Sequence, residues 1–409
     1  MLTERIARIM AKHYVCDSCV GRQFGQLLSG FTNAERGRIL RNALAMAIDA
    51  GQELEVEPSN FFGYKFRQNK DFEKAITKPG NCWVCDGLFT RLDSLAERVA
   101  KQLKDYDFNT FLVGTIVSRK LLEREEILWE TVGIETAEPL RAEINREIGK
   151  RLEKLTGKRA DLKKPDIAVL VNLQTGRAKL NVNPLYIFGY YKKLVRGIPQ
   201  ASWRPYYKTS VQDIIAKPVM AATKGKAHRI HAAGREDVDA RCLAWRPFVL
   251  EILKPKKRAI DYKKIIKQIN SSKKVLVKSL MCSNMDTARK LKEASPDKSY
   301  RVLVVLDKAV KKSELKNLKK LVGTIHQRTP ERVLHRRAEL LRKREVKAIK
   351  WKFVNKKSFE MFVTGSSGLY IKELISGDNG RTRPSVSEVL GRKAVCKQLD
   401  VVNIGRIKI

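Results

Sequence analysis

A chain of 409 residues with 83 Lys+Arg against 44 Asp+Glu carries a formal charge of +39 at pH 7. A surface this basic suits a polyanion, and phosphate contacts release counterions, so binding should weaken steeply as salt rises. With 43% apolar residues the chain can bury sizeable cores, which excludes a basic disordered tail. No apolar run approaches the roughly 20 residues of a spanning helix, so a soluble, cytoplasmic protein with no membrane contact is expected.

At the N-terminus Leu2, Ile6, Ile9 and Met10 form a helical stripe that runs to Cys16-Asp17-Ser18-Cys19. A second pair of the same shape, Cys82-Trp83-Val84-Cys85, is separated from Cys19 by 62 residues. Two such pairs make a four-cysteine zinc site, and four thiolates leave the metal no open position, so the zinc is predicted to be structural. The long gap means that the site staples a whole subdomain rather than a compact ribbon. Gly21 and Gly87, each two residues beyond a pair, are expected at positive φ where amides turn back toward the thiolates. A redox pair or a disulfide is the rival reading, disfavoured in an intracellular basic protein. Cys242, Cys282 and Cys396 stand alone.

Between the pairs, Ile39, Leu40, Leu44 and Ile48 form a stripe ending at Gly51, and after the second pair Leu92, Leu95, Val99 and Leu103 form another. A strand at 111–117, an amphipathic helix carrying Leu140, Ile144, Ile148 and Leu152, and a buried strand at 167–173 then make an α/β module. With Lys164-Pro165-Asp166-Ile167 leading into its last strand, this module resembles a THUMP-type RNA-binding domain.

The run 190–200, Tyr-Tyr-Lys-Lys-Leu-Val-Arg-Gly-Ile-Pro-Gln, interleaves aromatic and basic residues, including Arg196. Such a pattern suits stacked bases and phosphates, or simple packing of the rings. A helix over 211–217 is expected to stop at Pro218, and an extended segment enters Gly234. Residues 234–241, Gly-Arg-Glu-Asp-Val-Asp-Ala-Arg, set carboxylates beside Arg235 and Arg241. A carboxylate acts as nucleophile or base only when ionised, positioned and partly desolvated, and a neighbouring cation keeps it charged. The other reading is an ordinary surface ion pair, common and weak.

Downstream, 246–252 reads as a strand and 254–267 as a basic surface stretch. A strand at 298–305 opens with Tyr300 between cations, whose ring could stack on a flipped base or belong to a core. In 327–337 Arg328, Arg332, Arg336 and Arg337 outnumber Glu331, giving a phosphate-gripping segment or a solvated helix face. Residues 368–374, Gly-Leu-Tyr-Ile-Lys-Glu-Leu, read as a strand running into a helix, followed by a polar turn holding Arg381. Alone, Lys372 is an ordinary surface lysine.

These motifs occur together and in order: paired cysteines, Arg-Gly-Ile-Pro-Gln at 196–200, Gly-Arg-Glu-Asp-Val-Asp at 234–239, Gln-Arg-Thr-Pro at 327–330, His-Arg-Arg at 335–337 and Gly-Leu-Tyr-Ile-Lys-Glu-Leu at 368–374. The ordered set, spanning essentially the whole chain, resembles the archaeal and eukaryotic tRNA pseudouridine synthases of the Pus-ten class. The resemblance implies an isomerase that detaches a uridine base, rotates it and rejoins it through carbon, with uridines 54 and 55 of the tRNA T-loop as targets. It implies Asp237 as the nucleophile, Tyr300 as the ring stacking on the base, Lys372 as the cation pairing with Asp237, and Leu399 as an apolar contact near the uracil. No organic cofactor is implied, and a monomer acting on tRNA is expected. The implied fold is α/β in the α+β sense: a zinc-stapled, THUMP-like RNA-binding region over 1–180, then a mixed, mainly antiparallel-sheet synthase domain over 181–409. Arg196, Arg235, Arg328, Arg332, Arg336, Arg337 and Arg381 are the candidate RNA contacts.

The chain departs from that class at Leu243-Ala244-Trp245-Arg246-Pro247, one residue shorter than the usual Leu-Gly-x-Gly-Arg-Pro and without its glycines. An altered loop beside the nucleophile is expected, with Trp245 either packed or filling substrate space. Two other functions fit part of the pattern: a non-catalytic zinc-containing RNA-binding protein, and a THUMP-linked RNA-modifying enzyme of another chemistry. The second should show a glycine-rich cofactor loop, and neither Gly-x-Gly-x-x-Gly nor a P-loop is present.

Overall fold

The computed structural model describes residues 2–203 and 205–407, and the side chain of Arg336, with the phosphate contact expected of it, lies outside the described set. The chain divides into two compact units, Met1–Asn183 and Pro184–Ile409.

In the first unit α1 (Leu2–Ile9), α2 (Asp17–Gly21), α3 (Asn33–Asp49), α4 (Lys70–Ala75) and α5 (Leu92–Leu103) precede a sheet module. That module comprises β1 (Thr110–Ile116), α6 (Arg119–Val132), α7 (Leu140–Thr156), β2 (Arg159–Ala160), β3 (Ile167–Asn172) and β4 (Ala178–Val182). Its sheet runs β2-β1-β3-β4, with β1 parallel to both neighbours and β4 antiparallel to β3. The α7 stripe Leu140, Ile144, Ile148 and Leu152 is fully buried, and alternation along β3 turns Ile167, Val169 and Val171 into the same core. Leu2, by contrast, is exposed while Ile6, Ile9 and Met10 are buried.

Helix α3 starts on a capping box in which Thr32 Oγ1 accepts from the Glu35 amide and Glu35 accepts from the Thr32 amide. Its buried face is Arg41, Leu44, Ala45 and Ile48, whereas Ile39, expected in the core, is exposed. The cause is Arg41, which donates to Asp17 at 2.7 Å, the Asn60 carbonyl at 2.7 Å and the Val15 carbonyl at 2.5 Å. A buried guanidinium must be satisfied, and doing so sets the rotation of the helix.

The second unit contains β5 (Leu185–Lys193), α8 (Val211–Thr223), β6 (Ala227–Ala232), β7 (Arg241–Leu253), α9 (Tyr262–Asn270), β8 (Val275–Ser283), α10 (Met285–Glu293) and β9 (Lys298–Leu306). It continues with β10 (Gly323–Arg328), β11 (Leu341–Asn355), β12 (Ser358–Gly365), α11 (Ile371–Ser376), β13 (Thr382–Arg383), α12 (Val386–Leu390) and β14 (Ala394–Ile404). One ten-stranded sheet runs β13-β10-β11-β12-β9-β14-β7-β5-β8, with β6 also on β7. β14 lies parallel to β7 and the other pairings are antiparallel. The sheet forks at β7: its first residues, Arg241 and Cys242, pair with β14, while Phe248–Leu253 pair with β6. Residues 233–240 bridge β6 to β7 and therefore hang at that fork.

Three local expectations give way here. Helix α8 does not stop at Pro218 but continues to Thr223. Proline removes one backbone hydrogen bond, yet the extra turn buries Val219 beside Val211, Ile215 and Ala216 under the sheet, which outweighs the loss. Gly368–Tyr370 is a turn rather than a strand, because β12 ends at Gly365 and α11 begins at Ile371. Residues 243–247 are not a loop: they lie inside β7, where the Trp245 ring sits between Lys192 Nζ at 4.7 Å and Lys278 Nζ at 4.6 Å. No helix among the described residues is long and apolar enough to cross a membrane.

Candidate active site and cysteine cluster

In the first unit the four thiol sulfurs of Cys16, Cys19, Cys82 and Cys85 lie within 4.8 Å of one another. Cys16 precedes α2 and Cys19 lies inside it, while Cys82 and Cys85 sit in a loop tied to the first pair by Trp83 N–H donating to the Tyr14 carbonyl at 2.9 Å. The Cys16 amide points at Cys82 Sγ, 3.3 Å away. Gly87 adopts φ +71°, as expected, but Gly21 is helical at φ −63°. Glycine stands at 21 for closeness, since a Cβ there would lie 1.8 Å from the Asn33 carbonyl oxygen where α2 crosses α3. Burial pushes the Cys19 thiol well up, an environment that favours thiolate only beside a cation.

In the second unit a cavity of about 750 Å³ opens at the fork of the sheet. Its wall includes the whole loop Gly234–Asp239, together with Lys298 and Tyr300 from β9, Leu399 and Val401 from β14, and Tyr370, Ile371 and Lys372 at the start of α11. Eight Lys and Arg side chains and three carboxylates line it, an excess of positive charge suited to a phosphodiester.

The loop is anchored through Glu236, which is buried. Glu236 pairs with Arg246 at 3.2 Å and accepts from Tyr191 Oη at 3.1 Å, while Arg246 donates to the Ala233 carbonyl at 2.6 Å. Gln200 donates to Tyr191 Oη at 2.7 Å and to the Gly234 carbonyl at 2.9 Å. Buried Lys193 donates to the carbonyls of Asp237 at 3.1 Å and Val238 at 3.0 Å, and burial lowers its proton affinity. Thus the aromatic-basic run at 190–200 is largely internal: Tyr191 packs on Phe248, and Gln200 and Lys193 hold the loop from beneath. Arg196 does the same from the side, donating to the carbonyls of Asp239 and Leu399 and pairing with Asp400 at 2.6 Å.

With its backbone held, the loop presents Asp237 to the cavity, its side chain 38% exposed. Asp237 Oδ2 lies 3.3 Å from Lys372 Nζ and 3.5 Å from an Arg332 guanidinium nitrogen. Lys372 is nearer to Asp239, at 2.7 Å and 2.8 Å from its two oxygens, so the lysine is shared between the two carboxylates rather than belonging to Asp237 alone. The partly buried Lys372 ammonium loses affinity for its proton by desolvation, but its hydrogen bond to Asp239 and the charges of both carboxylates more than restore it. Arg332 is steered by Glu373, 2.7 Å from its Nε.

Tyr300 and Leu399 form an apolar part of the wall, both nearly buried. Burial pushes the Tyr300 phenol up to about 12, so it stays neutral at ordinary pH. Of the other candidate arginines, Arg235 is exposed and lines the cavity. Arg337 also lines it and donates to Tyr370 Oη at 2.9 Å. Arg328 is exposed, outside the cavity wall, and 4.0 Å from Glu339, whereas Arg381 is engaged internally by the Thr329 carbonyl and Glu339. Sequence reasoning missed Glu236, Arg246, Lys193 and Lys298, whose types read as surface residues; only the period-two alternation of β9 places Lys298 on the face of Tyr300. Trp245 does not line the cavity.

Two family models match this chain: "Pus10, C-terminal" over residues 186–405 and "Pus10 THUMP domain, archaeal" over residues 95–172. Similar proteins include the tRNA pseudouridine synthase Pus10 of Methanocaldococcus jannaschii, 39% identical over 97% of this chain and 93% of that one. The proteins of the same name from Thermofilum pendens and Pyrococcus furiosus are each 37% identical, covering 98% and 99% of this chain and 95% and 98% of theirs. The chain belongs to the Pus10 family of pseudouridine synthases. The THUMP match falls on α5 through β3, and the C-terminal match covers every strand of the ten-stranded sheet. In this Pus10-family chain the loop at 234–239 thus lies within the region matched by the C-terminal family model.

Proposed function

We propose that this protein isomerises uridine to pseudouridine in tRNA, at positions 54 and 55 of the T-loop, with Asp237 as the nucleophile. The observation that supports this reading best is the position of Asp237: a carboxylate on a clamped loop, 3.3 Å from Lys372 and 3.5 Å from Arg332, facing a cavity with Tyr300 and Leu399 in its wall. The two cations keep the carboxylate ionised and aim it. An extruded uridine loses its stacking in the RNA, and the Tyr300 ring replaces it. Asp237 then attacks either the ribose C1′ or the uracil ring. By either route the C1′–N1 bond breaks, the base turns within the cavity, C5 joins C1′, the carboxylate is released and the C5 hydrogen leaves as a proton. Leu399 and Val401 exclude water from the detached base. No electron transfer is needed, and no organic cofactor enters. Arg235, Arg332 and Arg337 contact the RNA backbone at the cavity; Arg196 and Arg381 position protein segments.

The four cysteines, three of them buried and Cys16 partly so, fit a zinc ion, since soft thiolates at this closeness match its preferred donor set and full occupation leaves no catalytic position. The zinc is structural, holding α2 to the loop at 82–85. A purely RNA-binding role would leave the clamped carboxylate without a purpose. The test is to incubate unmodified tRNA transcripts with wild-type protein and with Asp237→Ala and to map pseudouridine. Wild type should modify the T-loop while Asp237→Ala binds tRNA and forms no product; product from Asp237→Ala, or none from wild type, would overturn the reading.

A further inference from the structure

Lys298 opens β9 on the face that continues through Tyr300, Val302, Val304 and Leu306, all buried. It is a lysine at a core-face position, only 8% exposed, and it lines the same cavity as Asp237. Among the described residues its ammonium has neither a hydrogen-bond acceptor nor an ion-pair partner. Its surroundings are unfavourable to it: Gly234 leaves the room it occupies, a Cβ there lying 2.7 Å from Nζ, and the Arg246 guanidinium is crowded against the same spot at 3.2 Å from that Cβ position. Burial, reinforced by the Arg246 charge, lowers Lys298 to about 8. The ammonium faces the cavity, so a ligand that fills the cavity and displaces its water must offer the lysine an acceptor or leave the charge unsatisfied.

We propose that the Lys298 ammonium donates a hydrogen bond to a carbonyl oxygen of the extruded uracil and stabilises the negative charge that the base takes on when its glycosidic bond breaks. This rests on the assignment of the cavity to a target uridine. When C1′–N1 breaks, its electron pair stays with the base and is shared with the ring carbonyl oxygens, so a donor fixed there acts most strongly in the transition state. Placement favours the base edge over a phosphate. Lys298 lies two residues from Tyr300 on one strand face, so a ring stacked on Tyr300 offers its edge to the ammonium. The exposed Arg332 and Arg337 are left for the backbone. Made to the C4 oxygen, the same contact would favour uracil over cytosine, whose exocyclic amine at that carbon cannot accept from an ammonium; made to the C2 oxygen, it would not distinguish them.

The test uses full-length protein and tRNA transcripts in single-turnover assays, with wild type and Asp237→Ala measured in parallel as controls on the reaction itself. Lys298→Met should bind tRNA within about twofold of wild type, slow pseudouridine formation by about a hundredfold, and melt no lower than wild type, because it removes a desolvated charge that makes no pairing within the fold among the described residues. Lys298→Arg should recover part of the rate. Independently of any variant, a target carrying 2-thiouridine or 4-thiouridine should slow wild type by about tenfold for whichever sulfur replaces the contacted oxygen, and that same target should not slow Lys298→Met further. A Lys298→Met protein that turns over within threefold of wild type or melts lower, or a wild type indifferent to both thio substitutions, would overturn the proposal. Wild type forming no pseudouridine at all would instead overturn the function.

Discussion

The Gln327 carboxamide clasps Tyr370 on both sides of its backbone, accepting from its N–H at 2.9 Å and donating to its carbonyl at 2.9 Å. Gln327 is wholly buried at the end of β10, and Tyr370 is the residue from which α11 starts, two before Lys372. The Gln-Arg-Thr-Pro motif therefore acts on the site at a distance, by fixing where the lysine-bearing helix begins. Gln327→Ala leaves the part-buried Tyr370 N–H without its acceptor, while the Tyr370 carbonyl keeps the Leu374 amide at 3.0 Å, and is expected to cost about 1–3 kcal/mol in denaturant unfolding. It should also slow product formation by about tenfold to a hundredfold through displacement of Lys372; full activity in a folded variant would contradict the link.

Because Lys372 sits closer to Asp239 than to Asp237, the two carboxylates make separable predictions. Asp237→Asn should abolish single-turnover chemistry, whereas Asp239→Asn, with its side chain 67% exposed and no place in the chemistry, should keep the rate within about tenfold. Equal loss in the two variants would show that Asp239 is needed as much as Asp237.

Asp400 gathers Arg196, Arg241 and Arg301 at 2.6–2.9 Å and so ties the segment before α8, the start of β7 and β9 to β14. Burial by itself would raise this carboxyl, but hydrogen bonds from Arg241 and Arg301 and the nearby Arg196 charge bring it down to about 2. The folded value lies below the unfolded one of about 3.9, so ionised Asp400 stabilises the fold above about pH 4, and that contribution is lost as pH falls from about 4 to 2. Asp400→Asn should cost about 2 kcal/mol at neutral pH, less than a fully buried pair because the arginines reach solvent. Acid titration of stability should be shallower between about pH 4 and 2 in Asp400→Asn than in wild type; identical profiles would rule the pairing out as a source of stability.

Metal analysis is expected to find one zinc per chain. Chelation, or Cys19→Ser, should lower the melting transition of residues 1–183 while catalytic turnover, at saturating RNA and below that transition, persists. A zinc-free protein with an unchanged melting profile would contradict the structural assignment.

Several elements were legible because their residues carry the pattern alone. The α7 stripe at Leu140, Ile144, Ile148 and Leu152 and the alternation of β3 are local periodicities, and both hold. The α3 face was misjudged at Ile39 because three distant acceptors turn Arg41 inward, which no periodicity records. Pro218 was misjudged because propensity counts the lost hydrogen bond and not the burial of Val219. Arg196 looked like an RNA contact because a cation's partners lie outside its own segment: Leu399 is 203 residues away along the chain.

By itself the sequence determined the family, the paired cysteines and the loop that carries Asp237, since these depend on residue identity, order and spacing. Only the tertiary structure decided which groups face one another there. Lys372 reaches Asp239 across 133 residues, Arg332 arrives as a second cation beside Asp237, Glu236 turns inward to hold the loop, and Lys298 faces the cavity with no partner among the described residues. Side-chain direction at a sheet fork follows from strand register and from the satisfaction of buried charge, and both are properties of the assembled sheet rather than of any segment in it.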